Sequence, residues 1–216
     1  MLLKRPDIPY LPVILVAGAL QFFVCEFLVA GSWRGNYSYT HNFISDLGVP
    51  YCGEHGDMPC SSSAVVMNVS IVVFAAALLV GAWWIDRNAP LPRVGVLFLA
   101  LASAGALIVG LIHANTNWTL HSTGASLLLI FGGCAPLTYG LTDGFRHRKV
   151  ASTLSALLGG IALAGYFCYD NSWQLGLGPG GIERVSAYSV VLGFVVTITT
   201  ISGSRRAVPV ASAGIR

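Results

Sequence analysis

Six long apolar stretches run through this chain, and they constrain its fold more than any other feature. An α-helix needs about 20 mostly apolar residues to cross the hydrocarbon core of a bilayer. The stretches run from Pro12 to Gly31, Ala64 to Trp84, Val94 to His113, Leu120 to Leu141, Val150 to Tyr169 and Val185 to Ser202. Only 10% of the 216 residues are charged, which is too few for the surface of a soluble domain. The sequence therefore predicts an all-α, polytopic membrane protein with six transmembrane helices.

These stretches leave little chain for any other domain. We expect residues 1–216 to form a single transmembrane domain with a long loop at 32–63 and a tail at 203–216. The first stretch follows basic residues, as in a signal peptide, but it is longer than the apolar region of one, so we expect a retained helix. Glycine pairs at 132–133 and 159–160 predict close helix packing. The sequence has no phosphate-binding loop, dinucleotide-binding motif or H-E-x-x-H zinc motif, which argues against those enzyme classes.

The distribution of basic residues predicts the orientation in the membrane. Cytoplasmic segments of membrane proteins carry an excess of lysine and arginine. With the amino terminus inside, the cytoplasmic side would hold Lys4, Arg5, Arg87, Arg93, Arg146, Arg148, Lys149, Arg205, Arg206 and Arg216. The opposite side would hold only Arg34 and Arg184. We therefore expect both termini to be cytoplasmic in a multi-pass protein of the plasma membrane, and we expect no nucleic-acid partner.

Two cysteines share the long loop that this orientation places outside the cytoplasm. Cys52 and Cys60 are eight residues apart, and disulfides persist in oxidising compartments. A disulfide closing such a loop stabilises a fold by roughly 2–3 kcal/mol in the chain-entropy model. We predict this disulfide, because the alternative of a thiolate metal site lacks the C-x-x-C spacing. The sequence assigns no metal ligand and leaves any cofactor unknown.

The first polar cluster lies in the long loop and reads THNFISDLG. Asn42, Ser45 and Asp46 can each cap a turn, and Gly48 permits a positive φ. One interpretation is a turn at the membrane surface. The other makes Asp46 a carboxylate in a partly dehydrated pocket, with Ser45 and His41 as its polar neighbours.

The second polar cluster, HANTNWTLH, connects the third and fourth stretches. A tight connection places His113 at the end of one helix and His121 in the first turn of the next, so that the two imidazoles can approach each other. Paired histidines can bind a metal, relay protons or donate hydrogen bonds to a phosphate. A structural role for each histidine is the alternative.

The remaining ionisable candidates are in the first stretch and before the sixth. The glycine-rich segment GPGG is expected to let the backbone approach another surface closely. Glu183 and Arg184 follow it and are expected in the first turn of the last helix. An arginine there needs an anionic partner, which would be an internal group such as Asp46 or a lipid phosphate. Glu26 lies within the first stretch, where an ionisable group indicates a functional site unless it reaches the interface.

Three motifs, taken in order, resemble those of a known family. They are Ile44-Ser45-Asp46-Leu47-Gly48, the segment 110–121 followed by Gly124-Ala125, and Gly181-Ile182-Glu183-Arg184-Val185. Over nearly its whole length the chain resembles a prokaryotic family of six-helix membrane proteins described as a domain of unknown function. The first motif is distantly similar to the superfamily of autophagy modulators and GPI-lipid remodelling factors. That resemblance implies six helices and an association with lipid metabolism or lipid distribution, but no defined catalytic apparatus. His113 departs from the family pattern, which has an aromatic residue followed by proline.

The sequence as a whole favours a lipid-handling protein of the non-cytoplasmic face, which binds an amphiphilic lipid or modifies it by acyl transfer, headgroup transfer or hydrolysis. Asp46 or Glu183 would be the general base, with His121 as the proton relay. The residues expected to bind substrate are Arg184, Glu26, Ser45, His41, Asn42 and His113. The alternative is a non-enzymatic structural or regulatory membrane subunit. The expected partner is a membrane lipid, and a protein partner or a second copy of the chain is a further option.

Overall fold

The computed structural model describes residues 9–52, 60–89, 91–142 and 148–206, and it describes only the backbone of residues 204–206. Within these ranges it contains six long helices: α1 (Leu11–Gly31), α2 (Ala64–Asn88), α3 (Arg93–Leu111), α4 (Trp118–Gly140), α5 (Lys149–Asp170) and α6 (Gly178–Arg206). Each is long and apolar enough to cross a membrane. The predicted all-α, six-helix fold is therefore confirmed, and the chain is a multi-pass membrane protein.

The short connections make successive helices antiparallel, so alternate connections meet at the same end of the bundle. The loop after α1, the α3–α4 connection and the α5–α6 connection share one end, which we call the loop end. A short 3-10 helix, Ser45–Gly48, forms part of this loop. Residues 53–59 of the predicted loop and 207–216 of the predicted tail lie outside the described residues, as do Lys4, Arg5, Arg146 and Arg216.

Small residues bring α4 and α5 into close contact. A side chain on Gly159 would meet the backbone of α4, since its Cβ would lie 2.5 Å from Leu137 N and 2.7 Å from Gly133 O. Ser155 donates from the same face of α5 to the carbonyl of Pro136 at 2.9 Å. Such packing holds membrane helices together where the hydrophobic effect between them is weak. Gly160 faces open space, so the prediction of close packing is wrong at that residue.

The last helix begins earlier than its apolar stretch. The hydropathy pattern predicts a start at Val185, whereas α6 begins at Gly178, whose φ of 74° turns the chain into the helix. Pro179 then lies in the first turn, where its missing N–H costs no hydrogen bond. The expectation that Glu183 and Arg184 lie in the first turn is therefore wrong, because both are in the second turn and within the bundle.

Gly48 serves a different purpose from the expected one. Its φ is not positive. The glycines of the described chain that do have a positive φ are Gly35, Gly176 and Gly178. A Cβ on Gly48 would instead collide with the side-chain oxygen of Asn68 in α2. Asn68 donates to the Gly48 carbonyl at 2.9 Å. The glycine thus lets the loop approach α2 closely enough for this bond.

The two adjacent glycines of α5 provide a matched test of this packing. We expect Gly159→Ala to lower the free energy of unfolding by about 1–3 kcal/mol, because the new methyl group meets the α4 backbone. Gly160→Ala should be neutral or stabilising by up to about 1 kcal/mol, because alanine favours helix and the site is open. Unfolding in mixed detergent micelles measures both, and equal effects would contradict the described α4–α5 contact.

Candidate functional site

A buried ion pair joins α1 to α6 near the loop end. Arg184 Nε lies 2.9 Å from Glu26 Oε1, and the two side chains are only 6% and 2% exposed. The other carboxylate oxygen accepts a hydrogen bond from the Tyr188 hydroxyl at 2.9 Å. Glu26 therefore does not reach the interface. Its charge is balanced inside the bundle, and the anionic partner of Arg184 is Glu26.

The same guanidinium also holds the long loop. Its Nη1 donates to the carbonyl oxygens of Tyr39 at 3.0 Å and Asn42 at 2.8 Å, as well as to Gly180 in its own helix at 2.9 Å. Its Nη2 donates to the Tyr37 hydroxyl. The guanidinium carbon lies 4.8 Å from the centre of the Tyr39 ring, within the range of a cation–π interaction. Every nitrogen of Arg184 is thus occupied by the protein itself.

Tyr37 and Tyr39 were not identified from the sequence as members of this cluster. Burial raises the pKa of the Tyr37 phenol, with the Arg184 charge opposing it. A neutral phenol can accept from Arg184 while donating to the Phe43 carbonyl at 2.9 Å. The sequence signal was the group of tyrosines just before the THNFISDLG segment, but their spacing does not show which charge they surround.

The carboxylate of Asp46 shapes the loop. Its Oδ2 accepts a hydrogen bond from Phe43 N at 2.9 Å, which closes the turn before the 3-10 helix. Burial raises the pKa of Asp46 above its ordinary value, although the Phe43 N–H opposes this shift. Asn42 Oδ1 accepts from Ser38 N at 3.0 Å, and exposed His41 bonds Thr40 within the loop. Asp46, Asn42 and His41 therefore form hydrogen bonds within the loop, and none of the three lines the cavity described below.

Glycines let the same loop dock on the start of α6. Gly180 N donates to the Thr40 carbonyl at 2.9 Å. A side chain on Gly178 would collide with Thr40, and one on Gly180 with the carbonyl of Asn42. The GPGG segment therefore serves the close approach expected of it.

His121 and His113 occupy different environments. His121, in the first turn of α4, is 5% exposed, and its Nδ1 lies 2.6 Å from the Ile112 carbonyl. A carbonyl oxygen only accepts hydrogen bonds, so Nδ1 carries the hydrogen and a neutral ring keeps its lone pair on Nε2. His113 lies in the α3–α4 connection, where its carbonyl accepts from Thr116 N at 3.0 Å. Only His121 reaches the cavity.

A cavity of about 70 Å³ runs from the loop end into the bundle. Its polar lining residues are Ser45, His121, Ser122, Tyr169 and Glu183, and its interior is lined by apolar side chains that include Phe22, Ile71, Phe74, Leu129, Val190 and Val191. Trp118, which is 58% exposed, also lines it and marks where it reaches the surface. One water needs roughly 10–15 Å³ of such space. The cavity therefore has room for several waters or for a small part of an amphiphile.

Glu183 connects this cavity to the long loop. Its Oε2 accepts a hydrogen bond from Ile44 N at 2.6 Å. Ser45 follows directly, so the α6 carboxylate holds the serine segment against the cavity. The structure thus brings together three of the predicted site residues, Ser45, His121 and Glu183. Arg184 and Glu26 are paired with each other beside this cavity, not on its lining.

A disulfide joins Cys52 to Cys60, with Cα atoms 4.9 Å apart. The loop is further held by an isolated antiparallel bridge between Trp33 and Ser61. Within the described residues, no three His, Cys, Asp or Glu side chains form a group that could hold a metal ion.

Comparison with known proteins identifies one family. The model of the family described as Protein of unknown function (DUF998) matches residues 16–200, which includes all three motifs singled out above. No curated protein matches the chain, and neither does any solved structure.

The buried ion pair predicts a large effect of removing one charge. Glu26→Gln should lower the free energy of unfolding by about 3–5 kcal/mol, because it leaves the Arg184 charge buried without its counter-ion. The double variant Glu26→Leu with Arg184→Met should recover part of this loss. Unfolding in detergent micelles measures each value.

The control is the ion pair of Arg93 with Asp86 at the surface, in which the Arg93 side chain is 93% exposed. Arg93→Ala should change the free energy of unfolding by no more than about 1 kcal/mol. A Glu26→Gln effect as small as that of Arg93→Ala would show that the pair does not stabilise the bundle.

Proposed function

We propose a function from the site, because the chain belongs to the family described as Protein of unknown function (DUF998) and this membership assigns no activity. The protein handles an amphiphilic lipid at the loop end of the bundle. The lipid is bound there, or modified by acyl transfer, headgroup transfer or hydrolysis. The distant similarity of the ISDLG segment to lipid-remodelling membrane proteins points in the same direction.

The polarity of the cavity carries this proposal. Its interior is lined by aromatic and aliphatic side chains of α1, α2, α4 and α6, whereas a carboxylate, an imidazole and hydroxyls line its polar part. Ligand sites typically combine a mostly apolar lining with a few polar groups that fix orientation. Part of an amphiphile fits this division, with the first carbons of its acyl chain among Phe22 and Phe74 and its ester or headgroup beside His121 and Glu183.

The charges of the two bundle ends support a non-cytoplasmic position for the site. Arg87, Arg93, Arg148 and Lys149 lie at the end opposite the loops, in or beside the helix termini. The positive-inside rule places that end in the cytoplasm. In the plasma membrane, the site would then face the outer leaflet or the space beyond it, where the Cys52–Cys60 disulfide is also stable.

The roles within the site follow from the contacts. His121 and Glu183 are the groups placed to act on a substrate, since both line the cavity. Asp46 orders the turn that carries Ser45 and is therefore a positioning residue. Arg184, whose donors are taken by Glu26 and the loop, fixes the wall of the site instead of binding a lipid phosphate.

A structural or regulatory subunit is the second candidate. The contacts of Arg184 with Glu26, Tyr37 and the loop carbonyls favour it. A buried charge network that ties a loop to two helices is what such a protein needs to present a fixed surface. This candidate assigns no ligand to the cavity. Lipid retention by the purified protein therefore separates the two candidates.

The orientation is tested by labelling intact cells with a membrane-impermeant thiol reagent. Asn115 and Leu141 are exposed residues at opposite ends of the bundle. We expect Asn115→Cys to be labelled in intact cells and Leu141→Cys only after permeabilisation. The parent chain, with its own cysteines, gives the background. The reverse pattern would place the site on the cytoplasmic side.

Lipid binding is tested by filling the cavity. Ala187 lines it, whereas Ala164 is exposed on the outer face of α5. We expect Ala187→Phe to retain at most about a tenth of the co-purified lipid of the wild type, because the ring occupies the space of a ligand. Ala164→Phe should retain the wild-type amount. Mass spectrometry of lipid extracted after mild detergent exchange measures both.

Equal lipid content in the two variants, or no tightly held lipid in the wild-type protein, would contradict lipid handling in this cavity and leave the structural subunit. Thermal unfolding of both variants shows whether the bundle is intact when lipid is lost.

A further inference from the structure

We propose that the cavity performs acyl transfer or hydrolysis on an ester of a long-chain amphiphile, with Ser45 as the nucleophile and His121 as the general base. This inference rests on the proposed lipid-handling function and specifies its chemistry. It gives the role of general base to His121, whereas the sequence suggests Asp46 or Glu183 for that role. A serine nucleophile splits a difficult acyl transfer into two easier steps through a covalent ester.

Ser45 differs from the other serine of the cavity. Ser122 donates its hydroxyl to the Thr119 carbonyl at 3.1 Å, within its own helix. The Ser45 hydroxyl has no hydrogen bond with any part of the chain that the structure describes, although the residue is half-buried and lines the cavity. Nothing in the described protein therefore holds the Ser45 hydroxyl away from a substrate.

The orientation of His121 suits a base. The Ile112 carbonyl at 2.6 Å fixes the hydrogen on Nδ1, so the lone pair of the neutral ring is on Nε2. In hydrolases with a catalytic triad, an acidic residue fixes the histidine tautomer in this way. Here a backbone carbonyl at the end of α3 fulfils that task. The ring itself lines the same cavity as Ser45.

Two further groups complete the arrangement. Glu183 Oε2 accepts a hydrogen bond from Ile44 N at 2.6 Å and so positions the next residue, Ser45, on the cavity wall. In its ionised form, Glu183 would also stabilise the imidazolium that forms when His121 takes a proton. The Tyr169 phenol lines the cavity and can donate a hydrogen bond to the carbonyl oxygen of a bound ester.

The reaction balances without a further cofactor. Ser45 Oγ attacks the acyl carbon while His121 Nε2 takes the hydroxyl proton. The bond from the acyl carbon to the alcohol oxygen breaks, and His121 returns the proton to that oxygen, which leaves an acyl ester on Ser45. Water or the hydroxyl of an acceptor lipid then attacks this ester, again with proton transfer through His121, and the Ser45 hydroxyl is restored.

The lining also indicates the substrate class. The apolar interior takes the part of an alkyl chain next to the ester, and the ester would lie where the apolar and polar linings meet. Arg184 is occupied by Glu26 and the loop, and no arginine or lysine of the described residues lines the cavity, where it would select an anionic headgroup. We therefore expect the rate to depend on the acyl chain of the substrate more than on the charge of its headgroup.

A fluorophosphonate with a decyl chain tests the nucleophile in the purified, detergent-solubilised protein. We expect one covalent adduct, located on Ser45 by peptide mass spectrometry, and no adduct in Ser45→Ala. His121→Asn keeps a donor for the Ile112 carbonyl but lacks the base, so labelling should slow by at least about 100-fold. The control Ser62→Ala, at an exposed serine outside the cavity lining, should react at the wild-type rate. Hydrolysis of p-nitrophenyl decanoate should follow the same order.

Absence of an adduct on wild-type Ser45, or equal labelling of wild type and Ser45→Ala, would overturn the inference. Because the adduct is mapped on the wild-type protein, this result does not depend on whether a variant folds. Retained lipid without a Ser45 adduct would refute the chemistry alone and leave lipid binding in place. Loss of both would refute the proposed function as well.

Discussion

The buried guanidinium of Arg184 is the constraint on which the loop end depends. A charge within a membrane bundle is tolerated only when counter-ion and hydrogen-bond acceptors surround it. Glu26 supplies the charge from α1 at 2.9 Å, and the carbonyls of Tyr39 and Asn42 supply acceptors from the loop. Because these partners of Arg184 come from different elements, their contacts with it fix α1, α6 and the loop relative to one another.

That fixed geometry is what makes a small site possible. The loop carries Ser45, α6 carries Glu183, and α4 carries His121, so the cavity exists only when all three elements meet. The Ile44–Glu183 and Asn68–Gly48 bonds hold the serine segment from two sides. A loop with these attachments can keep a reactive group in place, as pre-organised sites require.

The ionisable groups of the loop end divide by function according to their surroundings. Arg184 and Glu26 neutralise each other and support the fold, and Asp46 completes a turn. Glu183 and His121 keep part of their surface on the cavity. Sequence reasoning assigned all five to one site because each is an ionisable residue close to the same membrane interface, and interface position alone does not distinguish a satisfied group from a reactive one.

The sequence by itself determined the six helices, since an apolar stretch of about 20 residues has few alternatives to a membrane helix. It also indicated the pairing of Cys52 with Cys60 and a glycine-assisted contact at the start of α6. Only the tertiary structure decided that Arg184 pairs with Glu26, 158 residues away, and that Ser45, not Asp46, lines the cavity. Helix length is set by local composition, whereas the partner of a buried charge depends on which helices pack together and how they are rotated, and hydropathy does not encode that rotation.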